Sequence, residues 1–255
     1  MIAFPHAKLN LGLNVLRRRA DGYHDIESLF IPWDGLRDVL EILPSERTAM
    51  HLYGIELDGG DPAAIDNNLC LRAYRALAAR FDLPPVQIHL WKGIPAGAGL
   101  GGGSADASAT ILMLRHMFDL PLDTQECAAI AATLGSDCPF FIYDRPMIAS
   151  GRGEILEPFD IDLGNWRIEV TVPDVHVTTR EAYAGIRPAV PAEPLRSILG
   201  SPVSSWRGRL VNDFEPTVFA AHPVIARTKE AFYGHGAVYA SMSGSGSAVF
   251  GLFPA

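Results

Sequence analysis

The sequence predicts an α+β protein of two domains. A glycine-rich run from Pro95 to Ser104 stands between a strand-like and a helix-like segment, and the opening segment from Ala7 to Val15 alternates with period two. Beyond about Glu157 the chain breaks into shorter elements punctuated by Pro158, Pro173, Pro188, Pro191, Pro194 and Pro202, with no long linker or internal repeat. The expected division is residues 1–157, which hold the glycine run, and residues 158–255, a smaller α+β domain.

Composition limits the function classes. The chain has 255 residues, 48% hydrophobic and 20% charged, the profile of a globular protein with a substantial core. A formal charge of −8 argues against a broad nucleic-acid footprint, although backbone N–H groups and one or two cations can still bind a phosphate locally. The opening Met-Ile-Ala-Phe-Pro-His-Ala-Lys lacks the features of a signal peptide, and no apolar run approaches the ~18 residues of a membrane span. A cytoplasmic protein with no membrane or nucleic-acid partner, acting as a monomer or weak homodimer, is expected. Cys70, Cys127 and Cys138 show no metal-ligand spacing and read as reduced, buried, small apolar side chains.

In the first strand Ala7, Leu9, Leu11, Leu13 and Val15 share one face, so Lys8, Asn10, Gly12 and Asn14 share the other. That second face is either solvated or part of a polar pocket. Arg18-Arg19-Ala20-Asp21-Gly22-Tyr23-His24 follows as a polar turn ending in an aromatic ring and an imidazole, which favours the pocket.

Val86-Gln87-Ile88-His89-Leu90-Trp91 alternates as a half-buried strand. Next comes Pro95-Ala96-Gly97-Ala98-Gly99-Leu100-Gly101-Gly102-Gly103-Ser104, with five glycines in the seven residues from Gly97 to Gly103. Ser104 is then the expected N-cap of a helix whose stripe is Ile111, Leu114 and Phe118, ending near Pro121. Strand, glycine loop and helix form a phosphate cradle: glycines let successive N–H groups converge on an anion, and the helix adds the donors of its first turn. The competing reading is a flexible turn. Gly97-x-Gly99-x-x-Gly102 matches the dinucleotide pattern, but the region about twenty residues on carries no strand ending in an acid. The P-loop pattern fails too, because Gly103 precedes Ser104 where a lysine is required.

Asp123-Thr124-Gln125-Glu126 opens a helix with a capping box, and Gly135 is its expected stop. Asp137 follows at a junction before Pro139 and the apolar Phe140-Phe141-Ile142, where it is either a helix cap or a carboxylate suited to taking a proton. Gly151-Arg152-Gly153-Glu154 reads as a hairpin turn, and Ser243-Gly244-Ser245-Gly246-Ser247 as a second glycine loop.

Taken together, these segments resemble the GHMP small-molecule kinases nearly end to end. The likeness rests on Ala7-Lys8-Leu9-Asn10-Leu11-Gly12-Leu13, Arg19-Ala20-Asp21-Gly22-Tyr23-His24, the Pro95 to Ser104 loop, Leu134-Gly135-Ser136-Asp137-Cys138-Pro139-Phe140-Phe141, Asn212-Asp213-Phe214-Glu215 and Met242-Ser243-Gly244-Ser245-Gly246. It implies the two-domain GHMP kinase fold with the active site in the inter-domain cleft. It also implies use of ATP and Mg²⁺ and, through the Asp-Gly-Tyr-His turn and Asn-Asp-Phe-Glu, a cytidine diphosphate-linked methylerythritol of isoprenoid biosynthesis as the acceptor. Under the resemblance, Lys8 and Asp137 are the catalytic pair at the acceptor hydroxyl. Pro95, Gly97, Gly99, Leu100, Gly101, Gly102, Gly103 and Ser104 hold the ATP phosphates, with Asn68 and Lys92 towards adenine and ribose. Asn10, Tyr23, His24, Thr179 and Tyr183 bind the acceptor, Tyr183 standing where other members often carry Phe. Ser104 is the one candidate ligand for Mg²⁺, and Ala105 replaces a second serine common among relatives. A GHMP kinase for another alcohol, of homoserine or mevalonate type, and a nucleotide-binding module without turnover are the alternatives.

Overall fold

The computed structural model describes residues 1–54 and 65–255. In chain order the first half carries β1 (Ile2–Ala3), β2 (His6–Arg18), β3 (His24–Arg37), β4 (Val39–Pro44), β5 (Ala49–Tyr53), α1 (Leu69–Phe81), β6 (Val86–Trp91), α2 (Gly102–Met117), α3 (Thr124–Ala132) and α4 (Cys138–Tyr143). The second half carries β7 (Met147–Ser150), β8 (Ile155–Pro158), β9 (Trp166–Thr171), α5 (Thr179–Ala184), α6 (Leu195–Leu199), a 3₁₀ turn (Val203–Ser205), α7 (Glu215–Ala221), α8 (Pro223–Gly234), β10 (Tyr239–Met242) and β11 (Val249–Pro254). Among the described residues no helix is long and apolar enough to cross a membrane.

The chain forms two compact units that interleave along the sequence. One comprises Met1–Ala7, Pro32–Ala96 and Gly101–Arg145; the other comprises Lys8–Ile31, Gly97–Leu100 and Pro146–Ala255. This is a division by packing, whereas the expected boundary between residues 157 and 158 divides the chain by order alone.

The first unit is built on the sheet β1-β4-β6-β5, in which β4 runs antiparallel and β5 parallel to β6. Period two places Leu40, Ile42, Met50, Val86, Ile88 and Leu90 on the face that packs against Cys70 and Leu77 of α1, Ile111 and Leu114 of α2, and Cys127 and Ile130 of α3. Each such side chain contributes about 1.5–3 kcal/mol on burial. All three cysteines belong to this core and are buried free thiols. On the sheet's other face Val39, Trp91 and Tyr53 lie in register and exposed.

Helix starts in this unit follow the side chains that can serve them. Asn68 caps α1 by accepting from the Cys70 N–H at 2.9 Å. Asp123 and Glu126 form the expected capping box on α3, at 2.8 and 2.9 Å. Two boundaries differ from expectation. Helix α2 begins at Gly102, with Gly101 as the cap at φ 74°, so Ser104 lies inside the first turn and does not cap it. A left-handed glycine can start the helix earlier than a serine cap would. Helix α3 ends at Ala132 with Thr133 as its cap, short of Gly135.

The second unit holds the sheets β2-β3-β7-β8 and β10-β11-β9. Its core gathers Leu13, Val15, Ile26, Phe214, Val218, Ile225, Met242 and Val249. The Gly151–Glu154 segment turns the β7–β8 hairpin as expected, with Gly151 at φ 67°. Strand β2 departs from a one-sided pattern: Lys8 is 3% exposed and Asn10 2%, as buried as the leucines between them. Its polar face is therefore not solvated.

In the first unit His6 Nε2 bonds Asp144 Oδ1 at 2.7 Å, and this bond raises the His6 pKa above 6.5 against the opposing effect of burial. The same bond lowers the Asp144 pKa below 3.8. Both groups are thus charged between those two shifted values, and the pair's contribution disappears as pH rises through the raised histidine pKa. Asp144→Asn should lower Tm by about 1–3 °C at pH 5.5 and leave it unchanged at pH 9, measured by calorimetry.

Candidate active site

In the second unit the two-residue repeat of β2 brings Lys8 and Asn10 to the same side, and the chain supplies a polar lattice to receive them. The Lys8 ammonium donates to Asn10 Oδ1 at 2.5 Å and lies 4.4 Å from the centroid of the Phe30 ring on β3. Asn10 Nδ2 donates to Ser28 Oγ at 3.0 Å, and Ser28 Oγ donates to the Gly12 carbonyl at 2.5 Å. A buried ammonium is tolerable only with such partners, because its desolvation is otherwise uncompensated. The Asn10 amide places its oxygen towards lysine and its nitrogen towards serine, so both of its ends are used.

The first part of the glycine loop is anchored to the same lattice. The Lys8 N–H donates to the Leu100 carbonyl at 2.8 Å and the Ala248 N–H to the Ala98 carbonyl at 3.1 Å. Ser243 Oγ accepts from the Asn10 N–H at 3.2 Å and donates to the Gly99 carbonyl at 3.0 Å. Gly99 sits at φ 77°, and a Cβ there would overlap the Ser243 carbonyl oxygen. The second glycine loop is braced in turn. Asn212 Nδ2 donates to the Met242 and Gly244 carbonyls, each at 2.8 Å, and Glu215 Oε1 accepts from the Met242 N–H at 2.9 Å. Lys229 balances Glu215 at 2.6 Å. The Asn-Asp-Phe-Glu segment thus positions the Ser243 loop.

Elsewhere in this unit Tyr23 is 57% exposed, with the Arg152 guanidinium 4.9 Å from its ring centroid. His24 stacks on Tyr183 at 4.6 Å and 17°, and Tyr183 meets Phe214 edge-on at 4.7 Å. Tyr183 is therefore partly core and partly a platform. The His24 pKa is lowered by burial and then by the nearby Arg18 charge, which keeps the ring neutral at pH 7 with one donor and one acceptor nitrogen. Thr179 opens α5 and is exposed, while Thr178 does the capping by accepting from the Glu181 N–H at 3.2 Å.

The first unit holds Asn68, Lys92, Pro95, Gly101 to Ser104 and Asp137. The hydrogen-bond ladder of α2 begins with the Ala105 N–H donating to the Gly101 carbonyl at 2.9 Å, and no side chain caps the helix. The N–H groups of Gly102, Gly103 and Ser104 precede that ladder, the arrangement an anion completes. Ser104 Oγ faces the Cys138 thiol, whose pKa is pushed up to about 11 by burial. Asp137 occupies the N-cap position of α4, half-buried, but its side chain makes no capping bond. The cap reading of this residue is thereby removed. Asn68 has its oxygen committed to capping α1.

Lys92 sits in a buried ion cluster: its ammonium donates to Asp38 Oδ2 and, at 2.7 Å, to Asp106 Oδ2. Burial opposes the charge on Lys92, but the two carboxylates outweigh it and raise its pKa. Burial pushes the Asp106 carboxyl up to about 7, against the attraction of Lys92. Removing one member of such a cluster costs about 3–5 kcal/mol. Among the described residues no group of three or more His, Cys, Asp or Glu is placed to hold a metal ion.

Sequence reasoning passed over Ser28, Phe30, Asp38 and Asp106. The first two share a parity on β3, and Asp106 is a charge inside the otherwise small and apolar Ala105-Asp106-Ala107. That signal was readable.

The pattern of the GHMP kinases N-terminal domain matches residues 68–145, and that of the GHMP kinases C-terminal domain matches residues 199–255. The chain is 50% identical over 253 residues to the 4-diphosphocytidyl-2-C-methyl-D-erythritol kinase of Parabacteroides distasonis, covering 99% of this chain and 92% of that one. The chain belongs to the GHMP kinases. The enzyme of the same name from Porphyromonas gingivalis is 48% identical over 257 residues, covering 99% of this chain and 92% of that one. A crystal structure of 4-(cytidine 5'-diphospho)-2C-methyl-D-erythritol kinase superposes with a TM-score of 0.80 at 34% identity, covering 99% of this chain and 90% of that one. A homoserine kinase from Cytophaga hutchinsonii superposes with a TM-score of 0.66 at 18% identity, over 98% of this chain and 85% of that one, a likeness of fold alone. As a GHMP kinase this protein is a small-molecule phosphotransferase that uses ATP.

The close approach at Gly99 makes it a sensitive probe of this GHMP kinase. Gly99→Ala should destabilise the fold by about 2 kcal/mol or more, because the new methyl group meets backbone and φ is left-handed. Urea denaturation would show it as a lowered midpoint.

Proposed function

We propose that this GHMP kinase transfers the γ-phosphoryl group of ATP to the 2-hydroxyl of 4-diphosphocytidyl-2-C-methyl-D-erythritol, a step of isoprenoid biosynthesis. The observation that carries this reading is 50% identity over 99% of the chain to a kinase of that name. The domain division that accompanies it is residues 1–157 and 158–255, which leaves each matched segment, 68–145 and 199–255, whole.

The chemistry of the residues agrees. Phosphoryl transfer depends chiefly on positioning and on stabilising charge. The Gly102 to Ser104 N–H groups supply donors for polyphosphate oxygens, and the remaining loop residues Pro95, Gly97, Gly99, Leu100 and Gly101 supply the backbone path that leaves room for it. Lys8, oriented by Asn10, provides positive charge for the transferring group. Asp137, with no capping duty, accepts the proton from the hydroxyl as the new O–P bond forms and the bond to the β,γ-bridging oxygen breaks, releasing ADP. Bound Mg²⁺ would neutralise polyphosphate charge. Ser104 is the one protein oxygen assigned to it, and its other ligands would come from ATP and water. Asn68 and Lys92 remain assigned to the nucleoside side by resemblance. Tyr23 presents a ring for stacking on cytosine, and neutral His24, backed by Tyr183, offers hydrogen bonds to the base's polar edge, with Thr179 beside the same α5 helix start.

Asp137→Asn should keep ATP affinity and lower kcat by roughly 10²–10⁴ in a coupled ADP-release assay. An unchanged kcat would remove the proton-acceptor assignment. Tyr23→Ala should raise KM for the cytidine substrate by roughly 5- to 100-fold while KM for ATP stays constant. Phosphorus NMR with a panel of alcohol acceptors, homoserine and mevalonate included, tests the substrate itself. Phosphorylation of either of those in preference to the cytidine compound would overturn the reading.

A further inference from the structure

The buried cluster of Asp38, Lys92 and Asp106 lies wholly within the first unit and connects three parts of it. Asp38, 0% exposed between β3 and β4, accepts with Oδ1 from the Gly93 and Ile94 N–H groups at 2.6 and 2.8 Å, holding the chain as it leaves β6. Its Oδ2 accepts from Lys92, the residue directly after β6. Lys92 then reaches Asp106, one turn into α2 and 2% exposed. The ammonium sits directly beneath the helix start: a Cβ on Gly102 would lie 3.3 Å from Lys92 Nζ and 2.9 Å from Ile94 Cγ2. The other oxygen of Asp106, Oδ1, is buried and has no hydrogen-bond partner among the described residues. An arrangement that leaves a buried carboxylate oxygen unsatisfied is poor for stability alone, since such groups are normally paired or replaced.

We propose that Asp106 is a positioning residue for the phosphate-binding turn, tying the first turn of α2 through Lys92 to the end of β6 so that the Gly102, Gly103 and Ser104 N–H groups face a polyphosphate. Asp106 does not touch the ligand; it acts through the lysine. The proposal rests on the kinase reading only in taking that anion to be a nucleotide polyphosphate.

The test is calorimetric titration of the full-length chain with a non-hydrolysable ATP analogue and, separately, with the cytidine substrate. Asp106→Ala should weaken the analogue by about tenfold or more, with the acceptor's Kd within about twofold of wild type. Asp106→Asn retains an oxygen for Lys92 and should recover analogue affinity to within about threefold. Amide hydrogen exchange at residues 102–104 should quicken by about tenfold in Asp106→Ala relative to the rest of α2. Asp106→Ser, smaller and polar but unable to reach Lys92, runs in parallel under the same criteria should the alanine variant not fold. Analogue affinity within about twofold of wild type in the alanine or serine variant, or nucleotide and acceptor affinity falling together, would overturn the proposal. Wild-type protein that binds no nucleotide would overturn the kinase reading as well, which separates the two failures.

Discussion

One constraint at the start of α2 shapes the first unit: the backbone N–H groups of Gly102, Gly103 and Ser104 have no partner within the helix itself. Any helix leaves such donors at its start, and most proteins consume them with a Ser, Thr, Asn or Asp side chain. Asn68 and Asp123 do this for α1 and α3. At α2 the cap is Gly101, which has no side chain to offer, so these donors stay outside the helix's own ladder. Helix α4 of the same unit also starts without a side-chain cap, so what sets α2 apart from α1 and α3 is the left-handed glycine in its cap position.

The second unit meets a different demand, holding a cation in a buried place. Burial of Lys8 is sustained by a chain of oriented dipoles running from Asn10 through Ser28 to the Gly12 carbonyl. Ser243 then joins that lattice to Gly99, and Asn212 and Glu215 keep the Ser243 loop in place. Residues far apart in the chain, on β2, on β3, at 212–215 and at 243, thus set the position of one amine and one peptide.

Much of this was legible in the sequence. Period two located β2 and β6, the glycine run marked the loop, and the Asp123 and Glu126 spacing gave a helix start by mechanism. What was missed follows from the same rules. Ser104 is the expected cap because serine is a good one, yet the cap is a glycine that enters the left-handed region. The polar face of β2 allowed two readings because alternation reveals which residues share a side but not whether that side meets water. Asp106 stands out in the sequence as a charge between two alanines, but its partners do not, because only folding brings Asp38, Lys92 and Asp106 into one ion cluster. The interleaving of the two units is illegible for a similar reason: it depends on which strands pair, and pairing is a long-range outcome.

The placement of the thiols has an experimental consequence. All three cysteines lie in the first unit, all are buried, and in each the pKa is raised, chiefly by burial, so none presents a thiolate at neutral pH. Alkylation by a maleimide or iodoacetamide therefore has to wait for that half of the protein to open, while the other half carries no sulfhydryl to react. Labelling kinetics would act as a clock for the opening of one unit alone, with no engineered reporter required.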